Sequence, residues 1–84
     1  MKHENVRWIP CKWSKGMFRD EYAVQFEAGK QSWSLFADRS SVDTERSLLR
    51  VKVLNEELGA IELPGETIQE GRRLARVPSS LLVG

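Results

Sequence analysis

An all-β fold follows from three features of this sequence. Short stretches carry apolar residues at every second position, turns rich in Gly and Pro separate them, and no apolar helical face runs beyond a turn or two. At 84 residues the chain reads as one small domain over 1-84, with 1-5 flexible. Two separate packed sheets would be thin at this size. The expectation is therefore five or six antiparallel strands in a strongly bent sheet or partly closed barrel.

The most legible element is a hairpin. In Glu21 to Glu27, Tyr22, Val24 and Phe26 fall on one face; in Ser32 to Ala37, Trp33, Leu35 and Ala37 do the same. Folding the runs back over Ala28-Gly29-Lys30-Gln31 sets Phe26 against Trp33, Val24 against Leu35 and Tyr22 against Ala37. A slip of one residue would turn one apolar set to solvent, so pattern and loop length require the same register. Gly29 supplies the backbone freedom that the loop needs.

The first strand is expected over Val6 to Trp13, with Arg7, Ile9, Cys11 and Trp13 on one face and Val6, Trp8, Pro10 and Lys12 on the other. Pro10 has no amide hydrogen, so the strand lies at an edge or breaks there. Ser14-Lys15-Gly16 turns into Met17-Phe18. Alternation lapses over Asp38 to Ser47, a loop in which Ser40 and Asp43 suggest one helical turn. Leu48 to Leu54 alternates again, Ala60 to Leu63 follows a turn, Pro64-Gly65 is a further turn, and Arg72 to Val77 is a last long strand. The predicted core is Trp13, Tyr22, Val24, Phe26, Trp33, Leu35, Leu49, Val51, Val53, Ile61 and Leu63.

The tail Leu74-Ala75-Arg76-Val77-Pro78-Ser79-Ser80-Leu81-Leu82-Val83 resembles the end of Src-homology-3-like barrels. The resemblance implies a strand running into Pro-Ser, one tight turn and a short closing strand. It spans about ten residues. The acidic loop and adjacent tryptophan pair of the peptide-binding members are missing, so it implies a fold and no activity.

Composition narrows the function. No apolar run approaches the roughly 18 residues of a membrane span, and Met1 to Asn5 is polar with no signal-like stretch behind it. One cysteine, Cys11, excludes an internal disulfide, and the chain reads as cytoplasmic. His3 is the sole histidine and lies at the polar start, which leaves Cys11 or a serine without a base elsewhere. One Cys and one His do not make a zinc site, and the glycines form no phosphate loop. Adjacent carboxylates (Asp20-Glu21, Glu56-Glu57) point apart on a strand or into solvent in a turn. The reading is non-enzymatic, with no cofactor and no metal.

The formal charge of +1 is unevenly spread: +4 over residues 1–19, −4 over 20–45 and +1 beyond. Basic and aromatic residues interleave near the start, and Arg7, Trp8, Lys12, Lys15 and Arg19 form the candidate binding surface. Trp8 shares its face with Lys12 and is the expected exposed aromatic, whereas Trp13 is expected inside. Two uses suit such a segment. An open edge strand takes a protein partner or a second copy, unless Leu81-Leu82-Val83 closes it. The alternative is single-stranded nucleic acid, held by cations on phosphates and aromatic faces under bases. Near-neutral net charge favours the protein partner.

Overall fold

The structure is a computed structural model that describes residues 5–84. The expected flexible start and His3 thus lie outside the described residues, apart from Asn5.

The chain is all-β, as its alternation requires, but the strands form two antiparallel sheets that are not closed into a barrel. In the first sheet β1 (Val6–Pro10) pairs with β6 (Leu48–Asn55), β6 with β7 (Ala60–Glu62), and β7 with β8 (Leu74–Arg76). The two-residue β5 (Val42–Asp43) also pairs with β6. The second sheet is β2 (Lys12–Lys15), β3 (Glu21–Ala28) and β4 (Gln31–Asp38), with β3 central. The single bent sheet is thus corrected to two, and the strand count to eight among the described residues. The extra strands come from splitting the first strand at Cys11 and from the short β5.

The split has a local cause. The amide of Cys11 donates to the Ser47 carbonyl, which extends the β1–β6 ladder by one step before the chain leaves for the other sheet. Trp8 turns both its backbone groups away from β6, and Pro10 shares its parity, so the missing Pro10 N–H costs the ladder nothing. One extended segment therefore serves two sheets, bent at Pro10-Cys11. Strands that change sheets in this way make the corners of sheet packings.

The β3–β4 hairpin keeps the register that its pattern demands: Tyr22 opposes Ala37, Val24 opposes Leu35 and Phe26 opposes Trp33. Pairing runs one step further, through Ala28 and Gln31, and leaves a two-residue turn in which Gly29 has φ +65°. Arg39–Ser41 forms a 3-10 turn at the end of β4, with Asp38 at the cap position, two residues before the expected Ser40. Asp43 does not close a capping box. Its carboxylate instead accepts the amides of Glu45 and Arg46 and pairs with the Arg46 guanidinium.

Between the sheets, Ile9, Leu49, Val51, Val53 and Ile61 meet Val24, Phe26, Leu35 and Ala37, and Val42, Leu63, Val77 and Leu82 complete the buried cluster. Tyr22 and Trp33 are half-buried against it. Trp13 is the correction: expected in the core, it is 38% exposed. It opposes Val24 and faces the core side, yet β2 is the outer strand of its sheet and no further strand covers it.

The last strand is Leu74–Arg76, shorter than the expected Arg72 to Val77. Beyond Pro78 the chain makes a 3-10 turn, Ser79–Leu81, and Val83 bridges Trp8. The tail thus makes its turn and its closing pair, but two separate sheets give no support to a Src-homology-3-like arrangement of the whole chain. No helix among the described residues is long and apolar enough to cross a membrane.

Gly59 closes the β6–β7 turn at φ +65°, and a Cβ there would lie 1.7 Å from the Val77 carbonyl oxygen. Gly71 has the same φ with nothing within 4 Å. The left-handed backbone alone costs a side chain about 1–2 kcal/mol. Gly71→Ala is therefore expected to lose that much in urea unfolding. Gly59→Ala is expected to lose roughly 3 kcal/mol or more, because backbone must also move. Equal losses would mean that the Gly59–Val77 contact is looser than described.

Candidate functional site

Edge strands decide where another chain can pair, and β1, β8, β2 and β4 lie at the ends of the two sheets. On β8, the Leu63 amide donates to the Arg73 carbonyl and the Val77 amide to the Gly59 carbonyl, so Leu74 and Arg76 turn outward, and among the described residues no segment pairs with that side. On β1, Trp8 donates to the Val83 carbonyl at 2.9 Å and accepts from the Val83 amide at 2.7 Å. The edge beside Trp8, the first expectation for partner binding, is closed by the tail. On β4, the Ile68 amide donates to the Ser34 carbonyl, the Ser34 amide donates to Gln69 Oε1, and Thr67 bridges Leu35. That edge is covered by the segment 67–69.

The edge of β2 differs from those of β1 and β4. The Gly16 amide donates to the Glu21 carbonyl, so Gly16 faces β3, and antiparallel alternation sets Ser14 and Lys12 facing β3 as well. Trp13 and Lys15 then turn their N–H and C=O groups outward. All four residues of β2 are exposed. Among the described residues no segment pairs with this outer side beyond the Cys11–Ser47 bond at the corner.

Beside this edge lies a cleft of about 440 Å³ lined by Lys15, Phe18, Arg19, Tyr22 and Arg39, among others. Its rim is the 16–20 turn, held by the Glu21 amide donating to the Phe18 carbonyl and by the Phe18 amide donating to Glu21 Oε1. Met17 and Phe18, at the tip, are 77% and 71% exposed. The Tyr22 ring sits between two partners. Trp13 meets it edge-on, with centroids 5.1 Å apart, and the Arg39 guanidinium lies 5.9 Å from its centre. An exposed cation over an aromatic face contributes about 0.5–1 kcal/mol. Arg39 is itself anchored, its amide donating to the Asp20 carbonyl.

The five residues of the candidate surface are not one patch. Lys15 and Arg19 meet in this cleft. Lys12 opposes Gln25 and points to the opposite face of the sheet. Arg7 pairs with Glu56 at 2.6 Å and donates to the Leu82 carbonyl, which ties β1 to the tail and to the β6–β7 turn. Trp8 is half-buried on the outer face of the first sheet, opposite Arg50. Neither tryptophan keeps the role expected of it: Trp8 is half-buried on the outer face, and Trp13 faces the core side but stays 38% exposed at an open edge. Sequence reasoning missed Tyr22 and Arg39 as surface partners. The hairpin register carries the signal for Arg39: extended by one pair, it sets Arg39 across from Asp20.

A second groove, of about 520 Å³, runs past Trp33, Leu54, Leu74 and Ala75. The indole Nε1 of Trp33 is buried without a hydrogen-bond partner. Among the described residues, no three His, Cys, Asp or Glu side chains gather as a metal site. No protein-family model, curated protein or solved structure matches the chain.

Burial pushes the Cys11 thiol up to about 11, from 9.0. The thiolate is the reactive form, so Cys11 is a packed group at neutral pH and a poor nucleophile. Iodoacetamide at pH 8 should label Cys11 much more slowly in the native protein than in denaturant. Because the folded pKa lies above the unfolded one, the contribution of Cys11 to stability is complete below pH 9 and fades as the pH rises toward 11. Cys11→Ser should flatten that part of the pH–stability curve. Equal labelling of native and unfolded chains would show an accessible thiol.

Proposed function

We propose that this chain is a non-enzymatic binding module that takes an extended segment of a partner protein as an added strand along β2. One observation carries the reading: Trp13 and Lys15 turn their backbone groups to solvent on an exposed edge, while the edges at Trp8 and Ser34 are occupied. A guest strand gains backbone hydrogen bonds there, and side chains on alternate positions supply selectivity. Trp13, Tyr22 and the cleft cations lie within reach of those alternate positions. A cytoplasmic setting and the lack of a cofactor belong to the same proposal, and the packed Cys11 thiol is consistent with it.

Single-stranded nucleic acid is the second reading. It draws on Tyr22 between Trp13 and Arg39, with Lys15 and Arg19 beside them. That arrangement offers an aromatic face and cations for phosphates. Against it, Arg7 is engaged by Glu56 and Lys12 points to the other face.

Lys15→Pro separates the two. It deletes an outward N–H and leaves the β2–β3 ladder intact. Peptides selected from a random display library on the wild-type protein should protect the Trp13 and Lys15 amides from exchange and bind the variant at least about tenfold more weakly, the loss of a hydrogen bond and its partner. If short oligonucleotides perturb the same residues, with affinity falling steeply from 50 to 200 mM salt, the nucleic-acid reading replaces this one.

A further inference from the structure

We infer that the strand accepted at β2 comes from a different, acidic protein segment and that the edge rejects a second copy of this chain. The inference rests on the reading of β2 as a strand-addition edge and names its occupant.

Charge is the first ground. Lys12 and Lys15 stand on the edge itself, and Arg19 and Arg39 stand in the cleft beside it. Among the described residues the ion pairs are Arg7–Glu56, Asp43–Arg46 and Glu70–Arg72, so none of these four cations has a carboxylate partner. The acid of the cleft, Glu21, has one oxygen engaged by the Phe18 amide. Asp20 stands across from Arg39 and Asp38 across from Glu21, and among the described residues neither forms an ion pair with the four cations. A guest carboxylate thus meets cations that form no ion pair among the described residues, although Glu27 stands diagonal to Lys12 and Asp20 across from Arg39.

Self-pairing is the second. Two copies joined along β2 would place four lysines on one short ladder with no carboxylate between them. Lysine on an exposed edge is a common guard against such pairing. A heterologous acidic strand removes that repulsion, while a second copy doubles it.

Alternation then fixes the pattern of the guest. Trp13 and Lys15 share the Tyr22 face, and Lys12 and Ser14 share the other. In an antiparallel guest, the residue opposite Lys15 is followed two positions later by the one opposite Trp13 and three positions later by the one opposite Lys12. The preferred segment is therefore acid, any residue, aromatic, acid, with both carboxylates within cross-strand reach of a lysine.

The test uses three blocked octapeptides in NMR titrations of the labelled protein at low salt: Thr-Val-Asp-Thr-Phe-Glu-Val-Thr, its Asn/Gln counterpart and its Lys/Lys counterpart. The acidic peptide should bind roughly 3- to 30-fold tighter than the neutral one, the range expected of two exposed charge pairs. It should protect the Trp13 and Lys15 amides, and the basic peptide should not bind. In the Lys12→Glu, Lys15→Glu double variant the order should reverse, and sedimentation should give a monomer for the wild type. Equal binding of acidic and neutral peptides, both protecting Trp13 and Lys15, overturns the acidic guest and leaves the binding edge standing. A wild-type dimer with those two amides protected overturns the exclusion of self. An acidic peptide that fails to protect them at millimolar concentration overturns the inference. If the neutral peptide also fails, and library-selected peptides leave those amides exposed, the binding edge itself falls.

Discussion

The bend at Pro10-Cys11 is the constraint on which the rest of the structure depends. A single extended segment gives its first half to one sheet and its second half to the other, and the Cys11–Ser47 bond fixes the crossing point. Without that corner the two sheets would be joined only by the 3-10 turn after β4 and by the long connection between β7 and β8. With it, Ile9 and Trp13 both face inward, but from different sheets and at different depths. Ile9 stands beside Leu49 on the β1–β6 ladder and is fully buried, while Trp13 lies at a rim. The same corner carries β2 to the outside of its sheet, where it has β3 on one side and solvent on the other.

Two covering segments set β2 apart from β1 and β4, and the cleft of Lys15, Tyr22 and Arg39 sets it apart from the other uncovered edge, β8. The tail returns along β1 so that Val83 satisfies Trp8, and residues 67–69 lie along β4 so that Ile68 and Gln69 satisfy Ser34. Both coverings use backbone groups that alternation turned outward, and both exchange exposed polar groups for hydrogen bonds of ordinary length. The outward groups of β2 receive no such cover. Its lysines are the usual device for keeping an edge soluble, and the aromatic cleft beside it is more than solubility requires. That combination, a guarded edge next to a recognition surface, is the physical basis of the functional proposal.

Much of the fold was legible because alternation is a strong local signal. Tyr22, Val24 and Phe26 against Trp33, Leu35 and Ala37 leave one register, and the pairing follows it. The division into two sheets was not legible. Pro10 marks an edge or a break, but alternation persists through Pro10 and Cys11, so nothing local says that the segment changes sheets; the long-range bond to Ser47 reveals the corner. The site was half legible for the same reason. Lys15 and Arg19 stand out as basic residues among aromatics, but parity along an unbroken strand puts Trp13 in the core and Trp8 on the surface. Closure of the Trp8 edge depends on a residue 75 positions away, a contact that local patterning cannot specify.

The most direct measurement is native-state amide exchange along β2, residue by residue, in the free protein at a concentration where it is monomeric. The account predicts a two-residue alternation: slow exchange at Ser14 and Gly16, whose amides face β3, and fast exchange at Trp13 and Lys15, whose amides face solvent. Comparable protection at all four positions would mean that the outer side of β2 is already paired, and the open edge would not exist.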